Sequence, residues 1–530
     1  MEVLSYAKGP EAPLVEYTIG EALRRTAAAF PDRLALVSRH QGQRYSWREV
    51  DAAVDVWAAG LCATGLEPGD RVGVWSTSCA EWVLLQLACA RAGLVLVNVN
   101  PAYRSYELGY VLSRSRMKTI FLWERDARAN YAGILAECGA PVTRMRFGVD
   151  QLPAGVKFVE ASDARQVVNI QYTSGTTGSP KGVLLTHRNI LNNGRLVAGQ
   201  MRLTEQDVIC IPVPLYHCFG CVMGVLASVS TGAALVLPNW TFDAEATLQA
   251  VEAEKATALY GVPTMFIAEL GHAEFARFRL GSLRTGIMAG APCPIEVMRR
   301  VVDEMHCGEI TIAYGQTEAS PVITMSGAED PIEVRVSTVG AALANTEVKI
   351  VTPETGATVE RGQQGELCAR GYPIMQGYDG DPEATANAID AEGWLHTGDL
   401  AVMREDGNCK ITGRAKDMII RGGENIYPRE VEEFLYTHPK ISDVQVVGLP
   451  DARLGETVCA WVRLKAGEEL SEAELRHWCR GRISHFKVPQ HVRIVEEFPM
   501  TVTGKIQKYK IREEEVRLRG LSREANIETA

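Results

Sequence analysis

The chain has 530 residues, 46% of them hydrophobic and 23% charged, with a formal net charge of −10. At about 150 residues per domain, that length suggests three or four units or subdomains around a large core. The composition excludes a disordered chain, a collagen-like fibre and a small disulfide scaffold, and the acidic balance argues against attraction to bulk nucleic acid or anionic membrane.

Thirteen cysteines, from Cys62 to Cys479, read as reduced, mostly buried thiols of a cytoplasmic protein. Met1–Gly9 carries Glu2 and Lys8 and no apolar segment, unlike a secretory signal. Helix starts are marked by two candidate capping boxes, Thr18 with Glu21 and Ser46 with Glu49. Strands are predicted at Arg71–Trp75, Leu94–Val99 and Thr119–Trp123, with helices at Glu81–Ala92 and Tyr106–Arg114 between them. Apolar strands alternating with helices imply βαβ units and a parallel sheet. The pattern resumes at Val167–Tyr172, Ala234–Leu237 and Thr257–Tyr260. Between Asp207 and Asp243 no Asp, Glu, Lys or Arg occurs. That is long enough to span a bilayer, but its prolines, glycines and His217 favour a strand, a loop, a short buried helix and a second strand.

After about Gly413 the texture changes. Strands at Asp443–Leu449, Val458–Leu464 and Val492–Val495, with a helix at Glu472–Ile483, describe a small α+β unit. Gly413–Asp417 reads as the linker. The fold class is therefore α/β: a large N-terminal domain of parallel or mixed sheets with flanking helices, residues 1–415, and a small C-terminal α+β domain, residues 416–530.

Tyr172-Thr-Ser-Gly-Thr-Thr-Gly-Ser-Pro-Lys181-Gly182 follows a predicted strand. Glycines let the backbone approach a ligand and turn its N–H groups inward. Hydroxyls donate to phosphate oxygens, and Lys181 adds positive charge, so the composition suits a polyphosphate. The P-loop spacing and the dinucleotide G-x-G-x-x-G are both absent, and the same residues also make ordinary solvated loops. Thr186 is a candidate helix N-cap.

This run resembles the signature loop of the adenylate-forming (ANL) superfamily. The similarity continues in order through Ala313-Tyr314-Gly315-Gln316-Thr317-Glu318, Trp394–Asp399, Gly413–Asp417, Arg421–Pro428 and Thr503-Gly504-Lys505. It is greatest to acyl-CoA synthetases of the medium-chain type. The resemblance implies an ATP-dependent, AMP-forming fatty-acid–CoA ligase that uses ATP, Mg²⁺ and coenzyme A, with a C-terminal domain that rotates between two half-reactions. It further implies that Thr173, Ser174, Gly175, Thr176, Thr177, Gly178 and Lys181 hold the β- and γ-phosphates. Thr317, beside Gly315 and Gln316, would donate to the α-phosphate, and Glu318 would hold Mg²⁺, a hard cation suited to a carboxylate. Tyr314 would lie near adenine with the Gly290-Ala291-Pro292 turn. Asp399 would accept the ribose hydroxyls, helped by Arg414. Lys505 would be the catalytic lysine, an ammonium between attacking carboxylate and α-phosphate. Lys416 would be the hinge, Gly422, Gly423 and Glu424 would approach the thiol path, and Phe486-Lys487 would contact the coenzyme A nucleotide.

Pro214–Gly220 matches the segment whose histidine, here His217, lies between acyl pocket and thiol tunnel; a core histidine is the plain alternative. No acidic residue nearby could pair an amino group, which disfavours amino acid substrates. Cys218-x-x-Cys221 lacks the second pair that a zinc site needs. Met265, Phe266, Met288, Val322 and Ile323 either back the acyl pocket or are ordinary core. Aryl or short acids, transfer to a carrier protein, a non-catalytic nucleotide sensor and luciferase-like oxygenation remain as alternatives. The sequence leaves the acid, the pathway and the choice between monomer and homodimer open.

Overall fold

The computed structural model describes residues 3–521 except 127, 174–179, 291–292, 294, 353–354, 415–417, 427 and 500–507. Two large sheets share the N-terminal part. The first has seven strands in the order 377–378, 181–186, 167–173, 95–99, 71–75, 119–122 and 143–146. The second has nine, in the order 341–342, 322–325, 309–315, 285–289, 258–261, 208–210, 234–237, 34–38 and 43–46. Both are parallel at the centre and antiparallel at an edge, as near-continuous Val/Ile/Leu strands separated by helices require. The helix Ala80–Ala92 buries every residue except Glu81. It shares one core with Leu36 and Leu235 of the nine-stranded sheet and Val72 and Leu96 of the seven-stranded one.

Most predicted strands and helices recur within one or two residues, but the strand expected at Val458–Leu464 begins at Gly455 and the helix expected at Glu472–Ile483 ends at Cys479. The capping box at Ser46 is complete in both directions. Thr18 accepts the Glu21 N–H but not as a full box. The uncharged stretch forms Val208–Cys210, a helical passage over residues 218–231 and Ala234–Leu237. Its middle, Cys221–Leu226, is a π-helical turn. Among the described residues no helix is long and apolar enough to cross a membrane.

A third sheet, 6–8, 346–351, 364–371, 395–403 and 409–414, is antiparallel. Two of its strands, Leu395–Met403 and Cys409–Arg414, contain motif residues that interrupt the alternation. Gly413 and Arg414 pair with Leu400 and Asp399 in it, so the sheet takes up the first two residues of the expected linker. The small lobe holds the sheet 424–426, 419–421, 455–464, 441–451, with His491–Ile494 beside 455–464.

The two lobes meet through a buried ammonium. Lys487 Nζ lies 2.5 Å from Glu430 Oε1 of its own lobe and 3.2 Å from Glu107 Oε1 of the large one, and all three residues are buried. Glu107 also accepts the Ser484 hydroxyl at 2.6 Å and its N–H at 3.0 Å. Burial opposes the charge on Lys487, but the two carboxylates outweigh it and raise its pKa. Replacing Lys487 by Met should strand two carboxylates out of water. A loss of about 3–5 kcal/mol is expected, read as a lower urea midpoint for the small lobe.

Candidate active site

Thr173 ends one strand, and Lys181 begins the next, directly opposite it. The loop carrying Ser174, Gly175, Thr176, Thr177 and Gly178 lies outside the described residues, but both its ends are fixed. Thr173 Oγ1 donates to Glu318 Oε1 at 3.2 Å, and the Tyr378 hydroxyl donates to the same oxygen at 2.9 Å. The Lys181 ammonium stands 5.0 Å from the Tyr378 ring centre. Thr173, Lys181 and Glu318 thus lie together around Tyr378. Tyr378, which closes the group, belongs to none of the motifs and carried no signal.

The strand Glu309–Gly315 ends in a register shift at Tyr314/Gly315. A Cβ on Gly315 would sit 1.8 Å from the Pro321 carbonyl oxygen, so only glycine fits. Thr317 and Glu318 follow on one tight turn, Thr317–Ala319. Gln316 holds that turn by donating its N–H to Pro321 O at 2.9 Å. Gly290, at φ +84°, follows the neighbouring strand Thr285–Ala289, while Ala291 and Pro292 fall outside the described residues.

Tyr314 donates to Asp399 Oδ2 at 2.7 Å, a link between two motifs that the sequence does not suggest. Asp399 is buried and follows Gly398, at φ +74°. That turn is held from below: Gly398 N–H donates to Glu366 Oε1 at 3.0 Å. The Thr397 hydroxyl accepts Asp399 N–H at 3.2 Å and donates to Leu367 O at 2.6 Å. Glu366 and Thr397 are therefore positioning residues missed from sequence. Arg414 stands opposite Asp399 in the backbone register.

His217 caps a short helical turn, its Nδ1 accepting Phe219 N–H at 3.2 Å. The ring keeps solvent access, yet desolvation by the surrounding protein lowers its pKa, with Glu424 opposing. Neutral imidazole is the form this favours. Glu424 Oε1 accepts the Tyr216 hydroxyl at 2.6 Å, so the small lobe's loop lies beside His217. Gly422 and Gly423 have φ +58° and +86°, and a Cβ on Gly423 would lie 3.0 Å from Val262 Cγ1. Cys218 Sγ bridges the two halves of the site, 3.6 Å from His217 Nδ1 and 3.8 Å from Thr317 Oγ1.

Cys218 and Cys221 are buried free thiols, and burial pushes Cys218 up to about 12. Cys221 instead sits among the side-chain amides of Gln171 and Asn98, at 3.4 and 3.6 Å. Neither is a thiolate nucleophile. Phe266, Met288 and Ile323 are fully enclosed with the core beneath the nine-stranded sheet, whereas Met265 is only partly buried. Lys487 is occupied by Glu107 and Glu430 in this arrangement. Lys416 and Lys505 lie outside the described residues.

This architecture and these motifs coincide with known proteins. Residues 23–379 match the AMP-binding enzyme family, and residues 430–505 match the AMP-binding enzyme C-terminal domain. YngI of Bacillus subtilis (strain 168), named as an acyl-CoA synthetase, is 48% identical over 96% of this chain and 99% of its own. The mitochondrial medium-chain acyl-CoA ligase ACSF2 of Mus musculus is 41% identical over 96% and 90%. The o-succinylbenzoate CoA synthetase MenE from Bacillus subtilis, a double mutant bound to its product analogue OSB-NCoA, superposes with a TM-score of 0.83 at 27% identity. That superposition covers 93% of this chain and 98% of MenE. The chain belongs to the AMP-binding enzymes of the ANL superfamily and is an ATP-dependent, AMP-forming acyl-CoA ligase.

Proposed function

We propose that the acid is a medium- to long-chain fatty acid. The observation that carries this reading is the uncharged segment between Asp207 and Asp243. It packs behind His217 with Phe219 stacked on Tyr260, ring centres 5.8 Å apart. An acyl chain entering there meets apolar walls and no counter-charge for an amino group. The medium-chain designation of ACSF2 supports the same choice.

In the first half-reaction a carboxylate oxygen of the acid attacks the α-phosphorus of ATP, and pyrophosphate leaves with the electrons of the broken P–O bond. In the second, the thiol sulfur of coenzyme A attacks the acyl carbon, AMP leaves and one proton is released. The protein's part is alignment and charge neutralisation. Thr173 to Gly178 and Lys181 bind the β- and γ-phosphates. Thr317 donates to the α-phosphate, and Asp399, oriented by Tyr314, Thr397 and Glu366, takes the ribose. Lys505 bridges the two reacting anions. The oxygen-only group of Glu318, Thr173 and Tyr378 fits Mg²⁺, which when bound offsets phosphate charge; Glu318 would be its carboxylate ligand.

We place the lobe boundary within residues 415–417, with Lys416 as the hinge. The position of Gly422–Glu424 against Tyr216 and Val262 fits the second half-reaction, in which backbone must pass close to the thiol path. His217, kept neutral, lies where it can border both acyl group and thiol.

AMP formation should rise by about fourfold per added methylene until the pocket is filled, from about 0.8 kcal/mol each, with octanoate well above benzoate and AMP matched by acyl-CoA in mass spectra. Benzoate preferred over octanoate would move the assignment to aryl acids, and adenylate without acyl-CoA would move it to carrier-protein loading. Lys505→Ala should slow pyrophosphate release by about 10²–10³-fold while sparing thioester formation from a supplied acyl-adenylate. Asp399→Asn should raise the KM for ATP by about 10- to 100-fold, the value of a hydrogen bond to a charged group, about 1.5–3 kcal/mol.

A further inference from the structure

The antiparallel sheet that presents Asp399 also gathers three metal-ligating side chains that the reaction does not use directly. Glu366 and Cys368, two residues apart, share one face of the strand Gln364–Gly371. His396 stands directly opposite Cys368 on the strand Leu395–Met403. Among the described residues this is the group whose ligand atoms all lie within 4.8 Å of one another.

The spacings suit a tetrahedral ion. Zinc bonds of about 2.3 Å to sulfur and about 2.0–2.1 Å to nitrogen put those two atoms about 3.5 Å apart. Cys368 Sγ and His396 Nδ1 are 3.5 Å apart. His396 Nδ1 and Glu366 Oε2 are closer, at 2.8 Å, a hydrogen-bond distance. An ion between them would open that gap by about half an ångström.

The outer contacts that ligands need are already present. The other oxygen of Glu366 accepts Gly398 N–H. The other nitrogen of His396 faces Asp390 Oδ2 at 3.6 Å. Asp390 is fixed in turn, its Oδ1 accepting the N–H groups of Glu392 and Trp394, each at 2.9 Å. Cys368 is fully buried, but the His396 side chain keeps 32% of its surface exposed, so an ion can enter from the histidine side. Lys349, paired with Cys368 across the sheet, opposes a cation. Two carboxylates and a thiolate outweigh it.

We propose that Glu366, Cys368 and His396 form a binding site for a borderline-soft divalent ion of the zinc class, with Asp390 as the outer carboxylate. Sulfur and imidazole ligands select such an ion over Mg²⁺ or Ca²⁺. Binding through Sγ and Nδ1 releases the thiol proton and leaves the imidazole N–H on Nε2, towards Asp390. Affinity therefore rises about tenfold per pH unit, as one released proton requires. Because Glu366 also holds Gly398, occupation disturbs the turn that carries Asp399; this coupling alone rests on the ribose assignment above.

The test titrates the full-length chain, first stripped with a chelator, with Co²⁺ and Zn²⁺. One equivalent of Co²⁺ should produce a thiolate-to-cobalt absorption band that Zn²⁺ abolishes. Cys368→Ser should lose the band, and both Cys368→Ser and His396→Gln should weaken Zn²⁺ at least tenfold in competition with a chromophoric chelator. His396→Gln, at a part-exposed position, guards against a folding failure of the buried variant, and circular dichroism reports on both. A wild-type chain without the band, or a folded His396→Gln variant that binds Zn²⁺ as tightly as wild type, overturns the site. A KM for ATP that stays constant as the site fills overturns the coupling and leaves the site standing.

Discussion

One buried ammonium decides how the halves of this enzyme face each other. Lys487 is enclosed between Glu430 of its own lobe and Glu107 of the other. A charge so far from water is tolerable only with both carboxylates in place. Glu107 also receives two bonds from Ser484 and the Arg104 N–H at the start of the helix Ser105–Ser115. The same side chain therefore sets a helix start and docks the small lobe. The lobe also meets the site through Glu424 against Tyr216 and packs Phe434 against Tyr106.

The arrangement shows how a site is assembled from distant stretches of chain. Strand ends supply Thr173, Lys181 and Tyr314, a tight turn supplies Thr317 and Glu318, and a third sheet supplies Asp399. Most of them are then tied by a side-chain bond, Thr173 to Glu318, Tyr314 to Asp399 and Cys218 to Thr317, while Lys181 stands over the Tyr378 ring. Rigid strands set the coarse positions, and these bonds set the fine ones, as preorganised charge stabilisation requires.

The parallel strands and their helices were legible in the sequence because continuous Val/Ile/Leu runs have few other uses. The residues that converge near Glu318 were legible because each lies in a motif. What could not be read was the contact made sideways. Tyr378 reaches Glu318 from a two-residue edge strand, Glu366 reaches Gly398 across a sheet, and Lys487 reaches Glu107 across 380 positions of chain. No local pattern encodes a partner at that distance. In the antiparallel sheet, the strands Gln364–Gly371, Leu395–Met403 and Cys409–Arg414 carry glycines and charges that interrupt the alternation. The mid-helix π turn at Cys221–Leu226 escaped because its composition equals that of an α-helix.

The bond between Tyr314 and Asp399 bears on the choice of nucleotide. Under the assignment proposed for Asp399, an arriving sugar meets a carboxylate already engaged by a phenol and sheltered from water. Two vicinal hydroxyls can add donors to it, whereas a 2′-deoxy sugar offers one fewer and leaves the loss of hydration less well compensated. On that assignment the pocket would favour ribonucleotides before any chemistry begins, with Tyr314 holding the carboxylate ready.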